Sequence, residues 1–201
     1  MWSSKGIALG QQKALSPESI AAIRKYLETN GSARDRALFA LALDTMLRGC
    51  DLLKLRVADV CQCDGTVRDA FAVVQGKVSA GQARPVEVYV TGVTRDLVAA
   101  LITAERKAPE DFLFTGKGRT RRLSQDMLRI LVKSWCAAIG LNPDDHANHT
   151  LRRTKASALY ARTKDVELVR QALGHAYVSS TQAYLAVGAD QVRRACLSLS
   201  L

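Results

Sequence analysis

Residues 71–90 read Phe71-Ala72-Val73-Val74-Gln75-Gly76-Lys77-Val78-Ser79-Ala80-Gly81-Gln82-Ala83-Arg84-Pro85-Val86-Glu87-Val88-Tyr89-Val90. The two ends of this stretch, 71–74 and 86–90, are rich in β-branched and aromatic residues and therefore predict two short strands. The segment 76–81 begins and ends with glycine, which is typical of a turn. We therefore predict a small antiparallel sheet with Lys77 at its hairpin.

The residues on either side of this predicted sheet show helical patterns. Ser16-Pro17-Glu18 indicates a helix start, with a hydroxyl cap, a proline in the first turn and then an acid. Further predicted helices begin near Ser32, Gly49 and Ser124 and cover 94–105, 149–162, 165–173, 179–186 and 189–198. The sequence thus predicts a mainly α fold with one small antiparallel β-sheet (α+β), in which 1–15 are a loose lead-in and 16–201 form one domain.

The chain of 201 residues has the composition of a globular protein but an unusual charge. Lysine plus arginine exceed aspartate plus glutamate by ten. Such an excess indicates a polyanionic partner, of which nucleic acid is the commonest. An anionic membrane surface would require a basic amphipathic helix with Trp or Phe on its apolar face, and the sequence has none.

The sequence also indicates a soluble protein with free thiols. Its start has no apolar segment of a signal peptide, and its longest apolar run, 37–43, is far shorter than a membrane span. The five cysteines show no disulfide spacing, and Cys61 and Cys63 have no second pair to complete a zinc site. We therefore expect a cytoplasmic protein.

Residues suited to phosphodiester chemistry are spread along most of the chain. A tyrosine hydroxyl can act as a nucleophile, arginine binds phosphate through two parallel hydrogen bonds, and lysine can protonate a leaving oxygen. Histidine can donate to the phosphate or transfer protons. The candidates are Arg48, Lys77, His149, Arg152, His175 and Tyr184, with Asp51 as a supporting residue.

Each candidate has an ordinary structural alternative. Arg48 and Asp51 could form a surface ion pair, Lys77 could be a solvated turn residue, and His175 could cap a helix whose dipole favours its positive charge. Tyr177 is the nearest rival nucleophile, and we expect it to pack or to face solvent. A metal site could be formed by Asp144, Asp145, His146 and His149, but no further ligand lies at motif spacing, so no metal is expected.

The order of these residues closely resembles the catalytic domain of the tyrosine recombinases, the phage integrase family. The resemblance covers about residues 15–190, and its strength is that all motifs occur in order. The motifs are Leu47-Arg48 with Asp51-Leu52-Leu53, then His149-Thr150-Leu151-Arg152, then Leu173-Gly174-His175, and Tyr184 nine residues after that histidine.

The resemblance implies a site-specific recombinase that cuts and rejoins DNA through a 3′-phosphotyrosyl intermediate. Tyr184 would be the nucleophile, Arg48 and Arg152 would bind the phosphate, and Lys77 would protonate the 5′ leaving oxygen. The two motif histidines would assist by hydrogen bonding or proton transfer. Because the intermediate preserves the energy of the broken bond, no ATP, metal or other cofactor is expected.

The implied partner is double-stranded DNA. The resemblance also implies a monomer in free solution and a homo-oligomer, a tetramer, on DNA in the bacterial cytoplasm or nucleoid, and an accessory DNA-bending protein is a further candidate partner. The apolar tail 189–201 would dock on its own core or on a neighbouring catalytic domain. The basic residues expected to contact DNA are Arg84, Lys117, Arg119, Arg121, Arg122, Arg153 and Lys155.

The sequence departs from most members of the family at its start. Residues 1–15 leave no room for the additional helical domain that clamps DNA, so we expect weak and poorly selective DNA binding. Both naturally short members of the family and artificially shortened chains lack this helical domain. Two other functions stay open: a DNA-binding regulator that has lost activity, and a topoisomerase IB-like enzyme that nicks and relaxes DNA. The complete set of six catalytic positions favours an active enzyme over the regulator.

Overall fold

The computed structural model describes residues 12–76, 85–116 and 120–185, apart from the side chains of Ala183 and Tyr184. Over these residues the fold is mainly helical with one two-stranded antiparallel sheet, as predicted. No helix in these ranges is both long and apolar enough to cross a membrane. The elements are α1 (Pro17–Asn30), α2 (Ala33–Thr45), α3 (Gly49–Leu52), α4 (Val57–Val60), β1 (Ala70–Val74), β2 (Pro85–Tyr89), α5 (Gly92–Glu105), α6 (Gln125–Ala138), a 3-10 turn (Pro143–Asp145), α7 (Thr150–Thr163), α8 (Val166–Leu173) and α9 (Val178–Leu185).

The sheet pairs β1 with β2 in an antiparallel register. Phe71 lies opposite Val88, and Val73 lies opposite Val86. Phe71, Val73 and Val88 face the core, while the alternate residues of both strands face outward, as the two-residue period of a strand requires. Residues 77–84 of the connection between the strands lie outside the described residues, and these include the predicted hairpin lysine.

Three of the predicted helix starts are confirmed by their caps. Ser16, Ser32 and Ser124 each have an extended backbone, and each hydroxyl oxygen accepts the amide N–H three residues later. Such a bond satisfies an amide that has no partner within its own helix. The short helix α4 was not predicted, and the predicted helix 189–198 lies outside the described residues.

Helix α2 forms the centre of the core. Its apolar run 37–43 is buried on every side, which explains why the run does not follow helical spacing. It packs against α5 and α7, and the ring of Phe39 meets that of Trp135 edge-on at 5.7 Å between centroids. A second, smaller apolar cluster joins α7 and α8 to the end of α2, and it contains Met46, Ala156, Val169 and Leu173.

The segment Gln12–Leu15, here called the N-terminal strap, is fastened to α7 and to the turn that precedes it. The Lys13 amide donates to the Asp145 carbonyl at 2.8 Å, and the Lys13 ammonium pairs with the Asp145 carboxylate at 2.7 Å. The Leu15 amide donates to Oγ1 of Thr154 at 2.9 Å, and the Leu15 side chain is buried. The expectation of a loose lead-in is therefore wrong for these residues, which are bound to partners that lie far away in the sequence.

Candidate active site

Arg48 is presented by the turn that ends α2. Met46 adopts a left-handed backbone with φ of 51°, which stops the helix, and the Arg48 carbonyl then accepts the Asp51 amide at 2.9 Å to begin α3. The Arg48 side chain is half-buried, and its Nη1 donates to Oε1 of Gln75. A surface ion pair between Arg48 and Asp51 is not among the ion pairs of the described residues, and Asp51 is instead buried.

Asp51 binds the backbone just after β1, next to Lys77 in the sequence. Its Oδ1 accepts the backbone N–H of Gly76 at 3.1 Å. A Cβ placed on Gly76 would lie 3.0 Å from Nζ of Lys54, so a glycine suits this close approach. Lys77 follows directly but lies outside the described residues, and its role as the acid stays a prediction.

Arg152 occupies the first turn of α7 and is almost completely buried, with 2% of its surface exposed. Its Nη1 donates to the carbonyl of Met46, and its Nη2 donates to the carbonyl of Leu173 at 2.8 Å. Nη2 also lies 3.2 Å from Nε2 of His175. A guanidinium can be buried only where its N–H groups find acceptors. These contacts bring the end of α2, the start of α7 and the end of α8 together around one cation.

Gln75 is a site residue that was not predicted from the sequence. It is 2% exposed and links the two arginines: Oε1 accepts from Arg48, and Nε2 donates at 3.2 Å to the Leu173 carbonyl that also binds Arg152. Gly174, which follows Leu173, has φ of 62°, and a Cβ on this glycine would lie 2.9 Å from Nε2 of Gln75. In the sequence, Gln75 differs from its neighbours only in being a polar residue directly after an apolar strand.

His175 is neutral in this environment. Its half-buried imidazole follows α8, with Nδ1 at 3.0 Å from Oγ1 of Thr181 and Nε2 facing Arg152. Burial lowers the pKa of His175 to about 4, and the positive charges of Arg152, Arg48 and Arg170 act in the same direction. The alternative in which the helix dipole stabilises a charged His175 would require a raised pKa, so the structure does not support it.

We expect His175 to make the free energy of unfolding depend on pH between roughly 6.5 and 4. In this range the unfolded chain binds a proton at His175 and the folded chain does not, so stability decreases as the pH falls. Above this range both states are neutral, and below it both are protonated. The loss should be on the order of 2 kcal/mol and smaller in His175→Gln. Urea unfolding at several pH values measures it, and parallel curves for the two proteins would contradict the assignment.

His149 is exposed at the N-cap position of α7. Its backbone N–H donates to Oε1 of Gln12 in the strap at 2.6 Å, and Nη1 of Arg153 donates to the Gln12 carbonyl at 2.8 Å. Residues three apart lie on the same face of a helix, so His149 and Arg152 share one side of α7. The strap therefore binds the start of α7 at His149 and Arg153, on either side of Arg152 in the sequence, and Gln12 was not predicted from the sequence.

Tyr184 lies on α9, which packs against α7 and α8. One turn earlier on the same helix, Thr181 is completely buried and contacts His175. The backbone thus places the tyrosine helix beside the histidine, while the Tyr184 side chain lies outside the described atoms and its role as nucleophile stays a prediction. The rival Tyr177 is 67% exposed, as expected for a residue that faces solvent.

The basic residues predicted to contact DNA are distributed in several places. Three of them lie outside the described residues: Arg84, Lys117 and Arg119. Arg121 and Arg122 are exposed just before α6. Arg153 binds the strap, and the partly exposed Lys155 lies 3.7 Å from the Asp44 carboxylate. Contact of these side chains with DNA stays a prediction.

The residues of the alternative metal site are engaged in other contacts. Asp144 pairs with Lys133 at 2.8 Å, and Asp145 pairs with Lys13. His146 is buried, and this burial lowers its pKa. Among the residues that the structure describes, no three His, Cys, Asp or Glu side chains are grouped so that they could hold a metal ion.

One protein family and several known recombinases are similar to this chain. The sequence profile described as "Phage integrase family" matches residues 13–190. Tyrosine recombinase XerA of Pyrococcus horikoshii is 27% identical over 173 residues, which are 86% of this chain and 57% of the relative. The probable integrase/recombinase YoeC of Bacillus subtilis is 27% identical over 185 residues, which are 92% of this chain and 94% of the relative. The chain thus spans less than two thirds of XerA and nearly all of YoeC.

Solved structures of recombinases have a similar fold. A crystal structure of XerA recombinase gives a TM-score of 0.74 at 18% identity and covers 96% of this chain and 68% of the other. The XerH site-specific recombinase, bound to its difH substrate before cleavage, gives a TM-score of 0.71 at 20% identity, with 96% and 56% covered. At these identities the likeness shows the fold alone.

Proposed function

This chain belongs to the phage integrase family, and we propose on that premise that residues 16–201 are the catalytic domain of a tyrosine recombinase, which cuts and rejoins DNA. The observation that carries the proposal is the surroundings of Arg152. This buried guanidinium contacts His175, and it binds the carbonyl of Met46, two residues before Arg48. Residues from distant parts of the chain thus converge at one place, in the combination that phosphate chemistry requires.

The two arginines bind the phosphate that is cut. Carbonyl groups and His175 orient Arg152, and Gln75 holds Arg48, so both guanidinium groups are positioned before DNA arrives. The non-bridging oxygens of a phosphate accept paired hydrogen bonds from such groups, which never lose their charge. Donors that are already positioned stabilise the charge of the transition state without rearrangement.

The covalent step exchanges one ester bond for another. The Tyr184 oxygen bonds to phosphorus as the bond from phosphorus to the 5′ oxygen breaks, which leaves a 3′ phosphotyrosine and a 5′ hydroxyl. The phenol loses its proton to solvent water, and the 5′ oxygen gains one from the protonated Lys77, which later regains a proton from solvent. With its pKa near 4, His175 contributes as a neutral hydrogen-bonding group. Attack by a 5′ hydroxyl on the phosphotyrosine reverses the step without ATP.

A suicide duplex tests this function. Nicked duplexes made from the DNA that flanks the gene would lose a short fragment on cleavage, so that rejoining cannot occur. We expect the wild-type protein to stay covalently bound to a 3′ phosphate in the presence of EDTA. A DNA-binding regulator would bind these duplexes and give no adduct. A topoisomerase-like enzyme would also relax a supercoiled plasmid without a second recombination site.

We expect binding to double-stranded DNA to weaken steeply with salt because of the charge of +10. If the protein neutralises roughly four phosphates, affinity should fall by about a hundredfold between about 50 and 200 mM salt. Replacing both Arg121 and Arg122 by Gln should make the dependence shallower. Replacing Arg95 on α5 and Arg106 directly after it by Gln removes the same charge and serves as the control. A mobility shift that is insensitive to salt would contradict the prediction.

We also propose that the protein is a monomer in solution and forms a tetramer on DNA. A cleft of about 1070 Å³ lies beside the site, and its lining includes Met46, Val86 and Leu168. The apolar tail 189–201 is suited to such a cleft, in the same chain or in a neighbour. Sedimentation with and without DNA measures the assembly, and an assembly that persists after removal of 189–201 would exclude the tail as its cause.

A further inference from the structure

Thr181 contacts one of the two ring nitrogens of His175. It lies on α9, three residues before Tyr184, and is completely buried. Its Oγ1 is 3.0 Å from Nδ1 of His175. A threonine hydroxyl can donate or accept, so this contact alone leaves the position of the ring proton open.

The opposite side of the ring shows which nitrogen carries the proton. Nε2 of His175 lies 3.2 Å from Nη2 of Arg152, and an arginine only donates hydrogen bonds. Two N–H groups facing each other at this distance would repel, so Nε2 carries its lone pair toward the arginine. A neutral ring then has its proton on Nδ1 and donates it to Oγ1 of Thr181. The lowered pKa of His175 agrees with a neutral ring.

We propose that Thr181 is a positioning residue that selects the Nδ1–H tautomer of His175 and thereby the orientation of Arg152. The hydrogen bond at one ring nitrogen determines the tautomer, and the other nitrogen is then left to accept. With the proton on Nε2, an N–H would face Arg152 and displace the guanidinium from the Leu173 carbonyl. Thr181 and Tyr184 both lie on α9. The helix that carries the nucleophile would therefore also determine the orientation of the phosphate-binding Arg152.

Nitrogen NMR of histidine-labelled protein tests the tautomer without DNA. The chain has three histidines, so His146→Gln and His149→Gln assign the signals of His175. We expect the Nδ1–H tautomer at neutral pH in the wild type and in Thr181→Ser. Thr181→Val keeps the shape but removes the acceptor and would leave a buried Nδ1–H without a partner, so the proton should move to Nε2 as the guanidinium is displaced. Thr154→Val is the matched control, because that buried hydroxyl binds the Leu15 amide and not the ring.

The effect on DNA cleavage depends on the proposed function. At saturating DNA, Thr181→Val should form the covalent adduct about ten- to a hundredfold more slowly, the usual cost of a small misplacement in a site. Its DNA affinity should stay within about threefold of wild type, and Thr181→Ser should restore most of the rate. A loss confined to affinity would contradict a positioning role.

Four further results would overturn the proposal. Three concern the tautomer of His175: the Nε2–H form in the wild type, an unchanged tautomer in Thr181→Val, or a loss of the Nδ1–H form in Thr181→Ser. The fourth is cleavage at the wild-type rate by a Thr181→Val protein whose tautomer has changed. If the wild type forms no adduct with any duplex, the proposed function fails while the spectra still decide the tautomer. Thermal unfolding shows whether Thr181→Val folds, and if it does not, the spectra of the wild type and Thr181→Ser decide.

Discussion

The Tyr184→Phe variant should bind DNA as the wild type does and form no covalent adduct at all. The substitution removes one oxygen atom, which is the atom that we propose attacks phosphorus, and it keeps the ring. Without that oxygen no 3′ phosphotyrosine can form, so the loss should be complete rather than partial. Suicide duplexes analysed on denaturing gels measure the adduct, and a mobility shift measures binding.

The matched control for this variant is Tyr177→Phe. Tyr177 is also near His175 in the sequence, but its side chain is largely exposed to solvent, and its loss should leave adduct formation unchanged. Peptide mapping of the wild-type adduct should place the DNA on Tyr184. DNA found on Tyr177 would move the nucleophile, and cleavage that requires magnesium and leaves no adduct would exclude the reaction class.

Arg152→Lys should lower the rate of adduct formation by about two to three orders of magnitude, the usual cost of removing a preorganised donor. A lysine keeps the charge but loses the planar fork, so one ammonium group cannot reproduce the contacts to Met46, Leu173 and His175. Arg48→Lys should have a similar effect on the rate, because it loses paired binding of the phosphate. DNA binding should persist in both variants.

The two arginine variants differ in their expected effect on stability. Arg152 is buried, so its replacement should also lower the melting temperature, whereas Arg48 is only half-buried and should tolerate lysine better. Arg162 lies at the exposed far end of α7, so Arg162→Lys is the matched control for the replacement of an arginine by a lysine. Adduct formation near the wild-type rate in both site variants would make Arg48 and Arg152 structural residues.

Much of the fold could be predicted because its signals are local. The β-branched runs before and after Gly76 predicted the sheet, and the capping serines Ser16 and Ser124 predicted helix starts to within a residue or two. The short helix α4 was missed because four residues are too few for a helical pattern. Arg152 and His175 could be predicted from the order of the sequence motifs. Each of these two motifs also lies at the start or end of a predicted helix.

The partners of the site residues could not be predicted, because they are set by packing between distant elements. Gln75 meets the Leu173 carbonyl across 98 positions, and Leu15 meets Thr154 across 139. Neither contact leaves a periodic or spaced pattern in the sequence. For Asp51 the sequence left two interpretations, a supporting residue or a surface ion pair with Arg48, and it gave no sign that the buried carboxylate binds the Gly76 amide.

The N-terminal strap also sets an order of events during synthesis. The ribosome makes Gln12–Leu15 first, but their partners on and before α7 follow about 130 to 140 residues later. At ordinary elongation rates this interval is roughly 7 to 28 seconds. The start of α7 therefore gains its strap contacts only after a long interval, and α9 emerges after that. A nascent chain that ends before α9 therefore lacks one of the elements that surround His175, even when the strap is already in place.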